Sequence, residues 1–120
     1  MFERLTGTAT FNLLAKGLEV SSVRHKVISN NIANVNTDGY KKTRATIVED
    51  TNGLPEVSVE RQDAPGSIIQ ETDGTLRELS NVELAEEFPR MIISQRGYEA
   101  NINALKVEDE MIGSLLDIIG

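Results

Sequence analysis

Residues 80–119, SNVELAEEFPRMIISQRGYEANINALKVEDEMIGSLLDII, carry two apolar stripes, and reading them decides the fold. The first steps by four and three through Leu84, Phe88, Met91, Gln95, Tyr98, Ile102, Leu105, Asp109, Ile112, Leu116 and Ile119. That is the period of a helix burying one face. The second stripe, Ile93, Gly97, Ala100, Ala104, Val107, Met111 and Ile118, lies nearly opposite on a helical wheel. A helix apolar on two faces is enclosed in a large protein or sandwiched between partners. A chain of 120 residues has too little material to cover both. Gly97, Ala100 and Ala104 would also let a second helix approach closely. The sequence is patterned for association.

This helix is expected over 81–118, a length of roughly 55 Å at 1.5 Å per residue. Ser80 and Glu83 have the spacing of a capping box at its start. Pro89 predicts a kink, or a break after the first two turns.

A matching stripe precedes it. Phe11, Leu14, Leu18, Ser21, His25, Ile28, Ile32 and Val35 step by three and four, predicting a helix over about 9–33 with Thr8 or Thr10 as cap. The exit is rich in amides: Asn30, Asn31, Asn34 and Asn36. Asn34 or Asn36 is expected to turn left-handed at the C-terminal cap. Thr37, Gly39 and Tyr40 complete the joint, with Gly39 suited to positive φ. Asn30 and Asn31 sit inside the helix, where a capped turn does not need them, and are expected at subunit contacts.

Between the helices, RATIVE, PEVSVE and GSIIQE are short β-prone runs separated by DTNGLP and DAPG. Two or three such strands are not stable alone and must lean on helices or a neighbour. The expected fold is therefore mainly α. Long terminal helices pair as an antiparallel, coiled-coil-like αα core, with a small β-hairpin or sheet inserted. One structural domain results, divided into 1–40 (helix and joint), 41–79 (β region) and 80–120 (second helix). Leu14, Leu18, Ile28 and Ile32 are expected to pack within the chain against Met91, Tyr98, Ile102, Leu105, Ile112 and Leu116. Ile93, Gly97, Ala100, Ala104, Val107 and Met111 are left for a subunit interface.

Composition agrees with helix-on-helix packing. Aromatics make up 4% of the chain and tryptophan is absent, so a large aromatic core is excluded. A formal charge of −7 argues against nucleic-acid binding, even with the basic YKKTR patch at Tyr40–Arg44. The charge is uneven: residues 1–35 are net +2 and residues 81–120 net −5. There is no cysteine, hence no disulfide or thiolate chemistry. No run of about twenty apolar residues is present to span a membrane, and the N-terminus has no features of a cleaved signal peptide.

Chemistry has little to stand on. His25 is the only histidine and is expected as a packed or hydrogen-bonded side chain. The clusters Glu83, Glu86, Glu87 and Glu108, Asp109, Glu110 read as solvated helix faces. DTNGLPEVSVE fails the EF-hand frame, with Leu54 and Pro55 at a ligand and the turn glycine. No catalytic, cofactor-binding or metal-binding residues are expected.

Two segments together resemble one family. ISNNIANVNTDGYKK, residues 28–42, resembles the N-terminal signature of bacterial flagellar axial proteins, the rod and hook group. SNVELAEEFPRMIISQRGYEANINALKVEDEMI is similar to their C-terminal segment. The short centre resembles a proximal-rod member, lacking large outer domains. The resemblance implies a structural subunit of the basal-body rod, assembling through its terminal helices with itself or other axial subunits into a helical tube. It also implies a place in the flagellar basal body, reached by type III export without a cleaved signal. The alternative from another class is a soluble helical adaptor or chaperone that binds a partner helix.

Overall fold

The structure is a computed structural model that describes residues 2–119, with side chains described for 9–118. Six elements follow in order: α1 (Phe2–Ala33), β1 (Thr43–Glu49), β2 (Pro55–Arg61), β3 (Ile68–Gln70), β4 (Leu76–Glu78) and α2 (Leu84–Ile119). The helices pair antiparallel, since Asn31 meets Glu87 at one end while Ser21 meets Asn101 further along. The molecule measures 79 × 27 × 14 Å, with a radius of gyration of 20.8 Å. A compact chain of this length would have about 14 Å. It is mainly helical and elongated, with the β region at one end.

Both helix starts differ from the sequence expectation. α1 begins at Phe2, so positions 8 and 10 lie within it and not at its start. FERLTGTATF has no proline, and the single Gly7 costs only about 1 kcal/mol, which does not stop a helix that is already propagating. α2 begins at Leu84, and no capping box forms. Ser80 Oγ instead accepts from Val82 N at 3.2 Å, and the Glu83 carbonyl accepts from Glu86 N and Glu87 N. Asn81 is held by strand and joint partners, which keeps residues 81–83 out of the helix.

α2 continues through Pro89 without a break. The proline removes one bond, to the Ala85 carbonyl, but Ala85 and Pro89 are both exposed. Water can satisfy that oxygen, so an exposed first turn tolerates what a buried one would not.

β1 and β2 form an antiparallel hairpin in register Thr43↔Arg61 through Glu49↔Pro55. Asp50 organises its turn: the side-chain Oδ1 accepts from Asn52 N and Leu54 N. β3 and β4 make a second, smaller hairpin, Ile68↔Glu78 to Gln70↔Leu76. β4 has no counterpart in the sequence reading, because its three residues are too few to show alternation. Gly66 is where this hairpin crosses the chain. An added Cβ there would lie 2.0 Å from the Leu79 carbonyl oxygen, so only glycine fits.

The core is small and lies at the β end. Its buried apolar residues are Val20, Val27, Ile28 and Val82, joined by buried polar Asn31, Glu87 and Ser94. No described side chain of α1 before Val20, or of α2 after Ser94, is buried.

Candidate functional site: a polar joint and an open helical arm

The joint is built around Asn31, in the last turn of α1. Its side chain is fully buried. Nδ2 donates to the Thr43 carbonyl at 2.9 Å and to Glu87 Oε2 at 3.3 Å. Oδ1 accepts from Thr43 N at 3.0 Å and from the Tyr40 hydroxyl at 3.1 Å. An amide has two donors and two acceptor sites, and all four are used. Asn31 therefore ties α1, the joint, β1 and α2 together within one chain. That corrects its expected place at a subunit contact. Asn30 is exposed, and its carbonyl accepts from the backbone and side-chain nitrogens of Asn34.

Glu87 is the partner that makes burying this amide worthwhile. Its carboxylate has no exposure and lies 2.6 Å from Arg44 Nη1. Arg44 also reaches Glu86 at 3.4 Å, and Lys42 pairs with Glu86 at 3.2 Å. The Lys42 ammonium is the main influence holding the Glu86 carboxyl below its ordinary range. Lys41 likewise bonds Glu78 and lowers its pKa. The basic YKKTR run is thus absorbed by the chain's own carboxylates.

A second asparagine mirrors the first. Asn81 N donates to the Tyr40 carbonyl, and Oδ1 accepts from Lys42 N at 2.6 Å. Nδ2 donates to the carbonyls of Gln62 and Ala64. Asn81, Glu87 and Arg44 were missed as joint residues. The available signal was a charged Glu87 in helical phase with Met91 and Ser94, facing α1 instead of water.

The left-handed cap expected at Asn34 or Asn36 does not form, because no non-glycine residue has positive φ among those described. The chain leaves α1 through successive turns instead: Thr37 N donates to the Asn34 carbonyl and Tyr40 N to the Thr37 carbonyl. Thr37 Oγ1 also donates to Asn34 Oδ1. Gly39 takes the positive φ, at 71°, and its N–H donates to the Glu78 carbonyl. Asn36 and Thr37 are exposed.

Beyond the joint the two helices form an open arm. Small and polar residues meet along it: Asn101 bonds Ser21, and a Cβ on Gly17 would lie 3.2 Å from the Asn101 side chain. Glu87, Ser94 and Asn101, spaced by seven, mark this seam on α2. The larger apolar residues flank it. Ile28 is buried, while Leu14, Leu18, Ile32, Met91, Ile102 and Leu105 are half-buried. Tyr98, Ile112 and Leu116 lie on the exposed side, with Leu116 65% exposed. Ile93, Gly97, Ala100, Val107 and Met111 are exposed, and Ala104 is half-buried. His25 is exposed at the edge of a groove instead of packed.

Among the described residues, no group of three or more His, Cys, Asp or Glu is placed to hold a metal ion. Among the described residues, no helix is long and apolar enough to cross a membrane. The geometry offers backbone staples and an uncovered apolar arm, the features of an interaction surface.

Comparison with known proteins points the same way. The flagella basal body rod protein family matches residues 11–41, and the C-terminal family of the flagellar basal body rod proteins FlgE, FlgF and FlgG matches residues 72–118. The flagellar basal-body rod protein FlgC of Borreliella burgdorferi is 30% identical, over 92% of this chain and 96% of its own. The chain belongs to the flagellar rod and hook axial protein family. FlgC of Agrobacterium fabrum is 24% identical over 93% of this chain and 94% of its own. FlgG of Bacillus subtilis is 30% identical over 69% of this chain but only 31% of its own. The axial protein is a structural rod subunit of the flagellar basal body. Both matched segments contain the joint's staples: Asn31 lies in the first, Asn81 and Glu87 in the second.

Proposed function

We propose that this axial protein fills a short, FlgC-like position in the rod and assembles through its open arm with copies of itself or other axial subunits. The open arm is the observation that carries this reading. From Ser94 to the end of α2 the arm extends roughly 37 Å. Along it Phe11, Leu13, Ile93, Val107, Met111, Leu115, Leu116 and Ile118 remain exposed. A soluble monomer rarely leaves so many large apolar side chains uncovered along one arm. Ile93, Gly97, Ala100, Ala104, Val107 and Met111 form the intersubunit face in this reading. Near full-length likeness to two FlgC proteins supports the short-rod position over the longer FlgG type. Delivery by the flagellar type III export apparatus belongs to the same proposal.

The joint's role is to set the angle and spacing at which arm and β region are presented to neighbours. Complementation tests the whole reading. The gene should restore rods and motility to a host lacking its own FlgC, and a version lacking residues 95–120 should not. Fixed one-to-one binding to a single soluble partner, without rod recovery, would overturn it.

A further inference from the structure

Three arginines from three elements converge on one small cavity at the joint end. It has a volume of about 20 Å³ and is bordered by Arg24 of α1, Arg44 of β1 and Arg90 of α2. Its α1 wall is Val27 and Ile28, both buried. Charged side chains without an ionic partner are common on this molecule, so that property alone singles out nothing. What is particular here is three guanidinium groups, and no carboxylate, lining one partly apolar hollow.

The carboxylates nearby do not balance it. Glu87 holds Arg44 Nη1 at 2.6 Å. Glu86 is shared by Lys42 at 3.2 Å and by Arg44 and Arg90 at 3.4 Å. Glu60 stands opposite Arg44 in the hairpin register, but it is exposed and forms no ion pair with it. Arg24, Lys42, Arg44 and Arg90 therefore outnumber these carboxylates even with Glu60 included. Arg44 Nη2 is buried and makes no hydrogen bond, and Arg24 is half-buried with no ionic partner among the described residues.

We propose that this cavity binds a small oxyanion of the phosphate or sulfate class, clamped between Arg24, Arg44 and Arg90. A guanidinium is weakly hydrated and presents a planar fork of donors that fits an oxyanion. Apolar walls strengthen the attraction by lowering the local dielectric. One water-sized atom needs about 10–15 Å³, so the hollow seats one oxygen, and the rest of the anion lies at its mouth beside the exposed Arg90. Bound there, the anion offsets the positive surplus and links α1, β1 and α2 beside the Asn31 staple. The site is a property of the folded chain and does not depend on the rod assignment.

Titrating the full chain with inorganic phosphate at fixed ionic strength tests it. Calorimetry should give one-to-one binding with a dissociation constant on the order of 1 mM. The melting temperature should rise over the same range, beyond any general salt effect. R24Q should weaken binding roughly 10-fold, the loss of one charge-assisted contact, with circular dichroism unchanged. R90Q should act the same way, and because Arg90 is exposed it decides the matter if R24Q folds poorly. R96Q alters a side chain that is 80% exposed away from the cavity, and should bind as the unaltered chain does. Phosphate and sulfate also stabilise proteins by exclusion from their surfaces. That effect does not depend on Arg24, so a melting temperature that climbs equally in the unaltered chain, R24Q and R90Q overturns the site. So does the absence of binding heat up to roughly ten times the expected dissociation constant. Sulfate should substitute for phosphate, whereas chloride binding with equal affinity would overturn the oxyanion reading.

Discussion

Asn31 and Glu87 are 56 residues apart in sequence and share a hydrogen bond of 3.3 Å in a fully buried setting. That contact closes the joint end of the two-helix arm, and each residue leans on the other's partners. Asn31→Ala would strand Thr43 N–H, the Thr43 carbonyl and the Tyr40 hydroxyl at once. An unsatisfied buried group costs about 1–3 kcal/mol. The expected loss is about 3 kcal/mol after relaxation, read by urea unfolding. A loss under 1 kcal/mol would show that the amide is not a staple.

Glu87 and Arg44 should behave as a unit. Removing one member of a buried ion pair leaves the other charged in a low-dielectric site, at about 3–5 kcal/mol. Arg44→Met is expected to cost that much, and Glu87→Gln less, since an amide can still accept from Asn31. The double variant should be more stable than the sum of the singles predicts. Strict additivity would mean that the two groups do not interact.

How much of this was legible beforehand depends on the length scale. Two long stripes of helical period gave both helices and their pairing, because tens of residues repeat the same signal. The phase of the seam was harder. Leu, Ile and Tyr drew the reading toward residues 98, 112 and 116, whereas close approach selects Gly17, Ser21, Ser94 and Asn101. A small seam lets backbones approach, and large side chains then flank it. Asn31 was legible as out of place in a helix, but its partner Glu87 is too distant in sequence for any local pattern to join them. Thr8, Thr10 and Ser80 show the limit of capping rules, whose signals are only a few residues long: α1 begins upstream of the first two, and the Ser80 hydroxyl accepts from Val82 N instead.

Two glycines should fail for different reasons. Gly39 has φ of 71° with nothing within 4 Å of an added Cβ, so Gly39→Ala meets only backbone strain. That is worth about 1–2 kcal/mol, and Gly39→Val should cost more. Gly66 lies under the Leu79 carbonyl, where no side chain fits without moving the chain. Gly66→Ala should detach the β3–β4 hairpin while leaving helicity nearly intact. Hydrogen exchange of residues 66–79 distinguishes the two outcomes: faster exchange is expected for the Gly66 variant.

Acid should loosen the joint. The Lys42 hydrogen bond lowers the folded-state pKa of Glu86 below the ordinary value of 4.5, and Lys41 does the same for Glu78. The unfolded chain then binds more protons between those values, so stability is full above pH 4.5 and falls as pH drops through the folded pKa. Both carboxylates are partly solvated, so the effect is modest. Glu86→Gln should flatten the decline in melting temperature between about pH 5 and 3. An unchanged slope would show that the Lys42 pair contributes nothing.

Fold and assembly should separate along the length of the helices. Ile28 is 6% exposed and lies in the core at the joint end, where truncation opens a cavity. Ile28→Ala is expected to cost about 2–5 kcal/mol. Leu116 is 65% exposed on the arm, so Leu116→Ser removes little that the isolated chain buries. Its melting temperature should barely move. If the arm is the assembly surface, the second variant should nonetheless lower polymer yield and motility, because the assembled rod does bury that position. The Ile28 variant should show the reverse: a lowered melt, with assembly recovered wherever enough folded chain survives at low temperature. Calorimetry beside a motility assay reads both. A Leu116 variant that melts early would place residue 116 in the monomer's own core, and one that assembles normally would free the arm's tip of any contact.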